Sequence, residues 1–280
     1  MTPTERVFAA TLAALGFGIP GGPAGAVSLP LQSHVAVYDV SLARSEDRLG
    51  LSSVRGRLVL ELAGSDCSDW TVNFRMVSQF ISDDQSVKLL DTQSSTWESG
   101  SSRELRVTQR HFVDNALDTE AQVGATIETS GRVHGQLERP EGQTFELARG
   151  TIFPIAHLKK LVTAADGDQR RDKSVVFDGS EGSKAYTAIS FIGPRRKPAR
   201  QLTSLKTGDA AKLSGVAAWP VAISFYDADD GKHVEGIPSY QMQFEMFANG
   251  VSGDMTIDYG DYALKADLAK LEYSKPEACP

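Results

Sequence analysis

The chain has 280 residues, of which 41% are hydrophobic and 23% are charged, and its 29 basic and 36 acidic side chains give a net charge of −7. This composition supports a sizeable core, and it excludes extensive disorder and a protein with many membrane spans. The acidic excess argues against a nucleic-acid-binding protein, which would normally carry a basic surplus.

The N-terminal segment is typical of a secretory signal. Arg6 and the free amine give it a weakly positive start, partly cancelled by Glu5, and Val7–Ile19 form an uncharged, mostly apolar run. This run is shorter than the roughly 20 residues that a helix needs to cross a bilayer. Ala24-Gly25-Ala26 provides a small-x-small cleavage site. The alternative is a buried N-terminal helix.

We therefore expect residues 1–26 to be a signal peptide that is cleaved after Ala26. The exported part, residues 27–280, contains no linker rich enough in Pro, Gly or Ser to force a domain boundary. It is predicted to be a single exported domain without a transmembrane span.

The exported part consists mainly of predicted β-strands. His34–Leu42 places Ala36, Tyr38, Val40 and Leu42 on one face with a period of two, and Arg57–Leu62 alternates in the same way. Further strands are predicted over residues 71–80, 105–112, 125–136, 174–177, 184–192, 221–226, 240–247, 255–259 and 262–272. So many short strands, mostly separated by Gly and Asx turns, predict a mainly β fold in which an antiparallel meander closes or curls on itself.

One amphipathic helix interrupts the strands. Pro154 suits the first helical turn, and Gly167 suits the exit from the helix. The apolar residues between them fall on one stripe: Ile155, Leu158, Leu161, Val162 and Ala165. We expect this stripe to pack on the open face of the curved sheet; a helix on a membrane surface is the alternative.

Cys67 and Cys279 are the two cysteines of the chain. In an oxidising compartment an isolated pair most simply forms one disulfide, and two free thiols are the alternative. The scattered histidines and the two cysteines show no metal-ligand spacing, so no metal site is expected.

The search for catalytic chemistry finds no nucleophile elbow, phosphate-binding loop or zinc-protease motif. His34 and His157 lack a carboxylate or nucleophile partner that the sequence reveals, and they are expected to form structural hydrogen bonds. We therefore expect a protein that is not an enzyme and that needs no cofactor.

A basic cluster is the sharpest charge feature. Arg195, Arg196, Lys197 and Arg200 surround Pro194 and Pro198. Such a cluster could contact an anionic partner, for example phosphate groups of lipids or lipopolysaccharide, and a solvated loop is the alternative.

The order and spacing of several short motifs resemble a known family. The motifs are HVAVYDVSL (34–42), RGRLVLEL (55–62) followed by Cys67, TWE (96–98), GTIFPIAHLKKLV (150–162), VFDGSEGSK (176–184), IG (192–193), WPVAISFYD (219–227), NGVSGDMTIDYGDY (249–262) and a C-terminal cysteine. Together they resemble the EipB family of periplasmic envelope-integrity proteins of Gram-negative bacteria. The stretches 101–120 and 194–212 match no quoted motif.

The resemblance implies a β-spiral, which is a broken antiparallel barrel similar in shape to the lipoprotein carriers LolA and LolB. It also implies a disulfide between Cys67 and Cys279 and a periplasmic tetratricopeptide-repeat protein as a partner.

Two functions remain open. The first is a non-enzymatic scaffold or adaptor that supports the cell envelope through protein contacts. The second is a LolA-like carrier or sensor of a lipid or lipoprotein acyl chain. An apolar cavity open to solvent would favour the carrier. A filled interior with apolar patches on the outside would favour the scaffold.

Overall fold

The computed structural model describes residues 31–65, 67–140, 142–196, 205, 209–228 and 236–275. The predicted signal peptide with its cleavage site, Lys197, Arg200 and Cys279 lie outside the described residues. None of the helices in the described part has the length and apolarity that crossing a bilayer requires.

The described chain forms fifteen strands and two α-helices, with a short 3-10 helix at Asp47–Leu49. In chain order the elements are β1 (His34–Ser45), β2 (Leu51–Gly64), β3 (Trp70–Ser82), β4 (Val87–Glu98), β5 (Glu104–Val113), β6 (Ala116–Ile127), β7 (Val133–Arg139), β8 (Gln143–Leu147), β9 (Thr151–Ile152), α1 (Pro154–Asp166), β10 (Arg171–Val176), β11 (Tyr186–Ile192), α2 (Asp209–Leu213), β12 (Ala218–Asp227), β13 (Tyr240–Phe247), β14 (Ser252–Asp258) and β15 (Tyr262–Tyr273).

All fifteen strands belong to one nearly closed, barrel-like sheet, which confirms the mainly β, spiral-like architecture. Its order runs from β8 down to β1, then to β15 and down to β9. Neighbouring strands are antiparallel, except that β9 runs parallel to β10. The first and last strands pair along their whole lengths, from His34 opposite Tyr273 to Ser45 opposite Tyr262. The two ends of the domain therefore join the two halves of the sheet.

The sheet curls until its two edges approach each other. One buried apolar cluster combines Leu105 of β5 and Val133 of β7 with Phe153 and Phe177, which flank α1 and β10. The rings of Phe145 in β8 and Phe177 lie 5.4 Å apart. Contacts between the two halves therefore stabilise the curl by burying apolar surface.

The structure corrects two sequence predictions in this region. The predicted single strand over 125–136 is two strands, because a turn in which the amide of Gly131 donates to the carbonyl of Glu128 separates β6 from β7. Strand β4 was not predicted at all. Its sequence, VKLLDTQSSTWE, is polar at five of six positions on one face and at three of six on the other, so it lacks the apolar alternation on which strand prediction depends.

Alternate connections of the meander leave the sheet along the same edge. We call one of these edges the mouth edge; it carries the connections β1–β2, β3–β4, β5–β6, β7–β8, β10–β11, β12–β13 and β14–β15. The opposite edge, the base edge, carries the β2–β3 and β4–β5 turns and the long β11–β12 connection.

Candidate interaction surfaces and the helix anchor

A buried carboxylate holds helix α1 at the base edge. The side chain of Glu98, the last residue of β4, is 1% exposed. It accepts the amide of Ile155 at 2.8 Å and the amide of Ala156 at 3.1 Å. Phe153 occupies the N-cap position and supplies no side-chain hydrogen bond. Glu98 therefore provides, from a distant strand, the capping that a local Ser, Thr, Asp or Asn normally provides.

The pKa of the Glu98 carboxyl is raised, because burial disfavours its charged form. The two amide hydrogen bonds and the ammonium of Lys159 oppose this rise. The Lys159 ammonium lies 5.3 Å from the ring centre of Trp70, which is itself 1% exposed. The sequence showed Glu98 only as part of a short motif, since its partners lie more than fifty residues further along the chain.

The predicted helix stripe faces the core. Ile155, Leu161 and Val162 are buried, and Leu158 is partly buried against the same clusters. His157 is not one of the apolar stripe residues, but its side chain is also buried, at 7% exposure. Helix α1 thus uses a wider face for packing than the apolar pattern indicated.

His157 lies beside a polar cluster that does not form a catalytic relay. Its Nε2 is 3.9 Å from the Asp172 carboxylate, beyond hydrogen-bond distance, and has no hydrogen-bond partner among the described residues. Burial lowers the pKa of His157 to about 4, so the ring is neutral at pH 7. Asp172 instead accepts the hydroxyl of Ser174 at 2.7 Å and pairs with the ammonium of Lys160 at 2.7 Å. These contacts fix the helix against β10.

His34, the other histidine considered at the sequence level, is 1% exposed. Its Nδ1 lies 2.7 Å from the carbonyl oxygen of Gln32, and burial lowers its pKa. Among the described residues no group of three His, Cys, Asp or Glu side chains is placed to hold a metal ion.

A cavity of about 620 Å³ lies between the β5–β7 strands and the β10–β11 connection. Polar and acidic side chains such as Gln109, His111 and Glu181 line it together with apolar surface that includes Leu137 and Pro140. The ring of His111 is held by Thr92 at Nδ1 and by Gln109 at Nε2. An acyl chain in this cavity would lie against acidic groups, which disfavours it relative to a ligand that can pair with them.

The described part of the basic cluster belongs to the base edge. The guanidinium of Arg195 lies 5.9 Å from the ring centre of Trp219, and Arg196 pairs with Glu245 at 3.6 Å. The amide of Arg196 also donates to the carbonyl of Ala218. These contacts fix the start of the β11–β12 connection to the sheet. The contact of the cluster with an anionic partner remains a prediction.

Cys67 lies exposed in the β2–β3 turn, also at the base edge. Because Cys279 falls outside the described residues, its pairing with Cys67 stays a prediction. Trp97, unlike the buried Trp70 and Trp219, is only partly buried. Its ring is covered by the guanidinium of Arg106 on the neighbouring strand, 4.8 Å from the ring centre.

The mouth edge collects exposed apolar side chains. Five of the six large hydrophobic side chains that are exposed in the described part of the chain lie there: Leu49 (39%), Val87 (54%), Leu117 (54%), Ile237 (91%) and Tyr259 (40%). The sixth, Phe191, lies in β11 next to the base edge, opposite Arg171 of β10. Sequence reasoning missed this arrangement, because only the strand order brings the five residues to one edge.

The mouth edge is also acidic. Its described residues carry twelve Asp and Glu against five Arg and Lys; they are residues 44–51, 82–88, 113–118, 138–140, 177–184, 227–228, 236–239 and 258–262. Four of the five basic side chains are engaged in ion pairs with carboxylates: Arg44, Arg48, Arg139 and Lys184. The acidic surplus is therefore the charge that this edge presents to solvent.

Comparison with known proteins places these features in a wider context. A family model described as EipB-like matches residues 25–275. The cell envelope integrity protein EipB of Brucella abortus (strain 2308) is 32% identical over 255 residues, which are 91% of this chain and 89% of that protein. A crystal structure of a beta-barrel-like protein of domain of unknown function DUF1849 from Brucella abortus matches with a TM-score of 0.79 and 32% identity, over 88% of this chain and 99% of that one.

Proposed function

The chain belongs to the EipB-like family, as its motifs predicted, and from this premise we propose that it is a non-enzymatic periplasmic protein that supports cell-envelope integrity as a scaffold or adaptor. The name of its relative from Brucella supports the role in the envelope. The scaffold mechanism rests on the distribution of apolar and polar side chains in this structure.

The observation that carries the proposal is the row of exposed apolar side chains on the mouth edge. Single exposed apolar side chains are common on protein surfaces, so the argument rests on their alignment: five of the six exposed in the described part of the chain lie on this one edge. The interior holds four packed apolar clusters, and acidic and other polar side chains interrupt the apolar lining of the cavity of about 620 Å³. A filled interior with apolar groups outside is what a scaffold requires, whereas a lipid or acyl-chain carrier of the LolA type requires the reverse.

The proposal includes a disulfide between Cys67 and Cys279. The amide of Ser274, just after β15, donates to the carbonyl of Ser33, and the hydroxyl of Ser33 donates to the carbonyl of Gly64 at the end of β2. The C-terminus therefore leaves the sheet two strands from the turn that holds Cys67, a distance of about 10 Å. The four residues that follow Lys275 can extend about 13 Å, which is long enough to reach Cys67.

A periplasmic tetratricopeptide-repeat protein is the proposed partner, and residues 1–26 are the proposed export signal. The basic cluster at Arg195 and Arg196 is proposed as a second, anion-binding contact at the base edge. Its distance from the acidic mouth edge would let one molecule contact two components of the envelope.

The test is complementation of a host strain that lacks this gene, scored as survival in a membrane-disrupting detergent. We expect rescue by the full chain and none by a chain without residues 1–26, because the latter would stay in the cytoplasm. Mature protein from the rescued periplasm would then be examined by native mass spectrometry. A stoichiometric lipid in that sample would contradict the scaffold function and support the carrier function. Rescue by the leaderless chain would contradict the periplasmic site of action.

A further inference from the structure

We propose that the mouth edge is the docking surface for a partner protein whose own surface places basic side chains around an apolar groove. The inference rests on the proposed scaffold function, since it assigns the surface through which the scaffold acts.

The first support is the regular spacing of the apolar side chains. In sheet order, Leu117, Val87, Leu49, Tyr259 and Ile237 occupy five successive connections of the mouth edge. Successive connections are two strands apart, or about 10 Å. The result is a row of single apolar anchors along one curved edge, each surrounded by polar groups. A groove in a partner can receive such a row, whereas a core would bring the same side chains together.

The second support is the rigidity of the edge. Hydrogen bonds tie neighbouring connections to each other: the amide of Asp83 donates to the carbonyl of Gly50, that of Glu46 to Asp261, and that of Asp114 to Leu89. These bonds link the connections that carry Leu117, Val87, Leu49 and Tyr259. Because the anchors are held in place before binding, little conformational entropy is lost when a partner docks.

A row of aromatic rings, which includes the exposed Tyr259 itself, reinforces the same edge. The rings of Phe80 and Tyr262 are 5.9 Å apart, those of Tyr262 and Tyr259 are 5.1 Å apart, and those of Tyr240 and Phe225 are 4.4 Å apart. Contacts of this kind join β3, β15, β13 and β12 into one support beneath the exposed side chains.

Charge selects the partner. The acidic surplus of the mouth edge repels the phosphate groups of an anionic lipid surface, and it also repels the same edge of a second copy. A partner with Lys and Arg around its groove would gain in association rate and in orientation from the same surplus. The combination of apolar anchors with an acidic surround therefore points to a basic protein.

The experiment begins with a photo-reactive benzoylphenylalanine placed at Leu117, at Val87 or, as a control outside the mouth edge, at Phe191 in the full chain in its host. Adducts formed in the periplasm are identified by mass spectrometry. We expect Leu117 and Val87, and not Phe191, to yield the same heterologous protein.

That protein is then purified and titrated with mature chain. Leu117→Ser and Val87→Ser should each raise the Kd at least tenfold. Phe191→Ser, at a residue of similar exposure, should leave the Kd unchanged. Raising NaCl from 50 to 300 mM should weaken binding of the wild type more than binding of the Asp83→Asn, Asp84→Asn double variant. The melting temperatures of all variants are measured alongside, because exposed positions should tolerate these changes.

Four outcomes that do yield an adduct overturn the proposal: adducts of the mouth edge with a second copy of this chain alone, adducts with lipid alone, a partner whose affinity the mouth-edge variants do not change, or a partner captured only from Phe191. In the last case the scaffold function survives with a different surface. If no position yields a protein adduct, the scaffold function fails together with the docking surface.

Discussion

Removing the Glu98 carboxylate should detach the start of helix α1 from the sheet. In the wild type this side chain is almost wholly buried and accepts two backbone amides, at 2.8 and 3.1 Å. In Glu98→Ala these amides lose their acceptor inside the protein, and the amide of Ile155 is buried where α1 packs against Leu62 of β2 and Trp70 of β3.

The magnitude follows from the two bonds. A hydrogen bond to a charged group contributes about 1.5–3 kcal/mol, and a buried donor left without a partner costs a similar amount. We therefore expect Glu98→Ala to lower the free energy of unfolding by about 4 kcal/mol. For a domain of this size, that corresponds to a melting temperature lower by roughly 8–16 °C.

Circular dichroism melting of the mature chain provides the assay. Glu98→Gln should lose about half as much, because its amide oxygen can accept one of the two N–H groups while its NH₂ faces the other. Glu104→Ala, at an exposed site in the next strand, is the matched control and should stay within about 0.5 kcal/mol of the wild type. If Glu98→Ala melted within 2 °C of the wild type, the contact between β4 and α1 would not contribute to stability and the anchor would be refuted.

Three further predictions concern the helix and the cysteines. Burial lowers the pKa of His157 to about 4 in the folded protein, so between pH 4 and 6.5 the unfolded state binds a proton that the folded state does not. The stabilising contribution of His157 is therefore complete above pH 6.5 and should be lost as pH falls towards 4, by about 3 kcal/mol, and urea unfolding of His157→Gln should lack this loss. Leu161→Asp should destabilise by several kcal/mol because it buries an unpaired charge; a melt like that of the wild type would mean that α1 is not packed. Cys67→Ser should destabilise the oxidised protein by roughly 4–5 kcal/mol, and equal wild-type melting temperatures with and without reductant would rule out the disulfide.

Local sequence patterns predicted the strands in which apolar and polar residues alternate and the apolar face is the one that packs on the core. Strand β13 was predicted with its observed bounds, since Tyr240–Phe247 ends at a clear Asn-Gly turn. Strand β4 escaped prediction because Thr92, Ser94 and Thr96 follow the alternation of Glu98 but are polar and only partly buried. Periodicity identifies a strand only where one of its faces is apolar.

The functional surfaces depend on pairings that local patterns do not contain. Glu98 caps a helix that begins more than fifty residues later, and the N-cap position itself, Phe153, carries none of the usual capping side chains. The mouth edge arises from connections throughout the chain. It becomes one surface only when β1 pairs with β15, a contact that spans more than two hundred residues. Sequence analysis recovered the architecture and the family, and three-dimensional pairing was needed to locate the surfaces.

The pairing of β1 with β15 also sets the order in which this protein can be completed. Strands β1 to β8 are joined by short turns, so this half of the sheet can assemble from neighbours in sequence while the chain is still being delivered. One side of β1 pairs with β2, but its other side pairs only with β15. The backbone N–H and C=O groups on that side therefore remain unpaired until β15, the last strand, is made. A chain that ends before β15 would gain two further sheet edges, on β1 and on β14, where it could pair with other chains and aggregate.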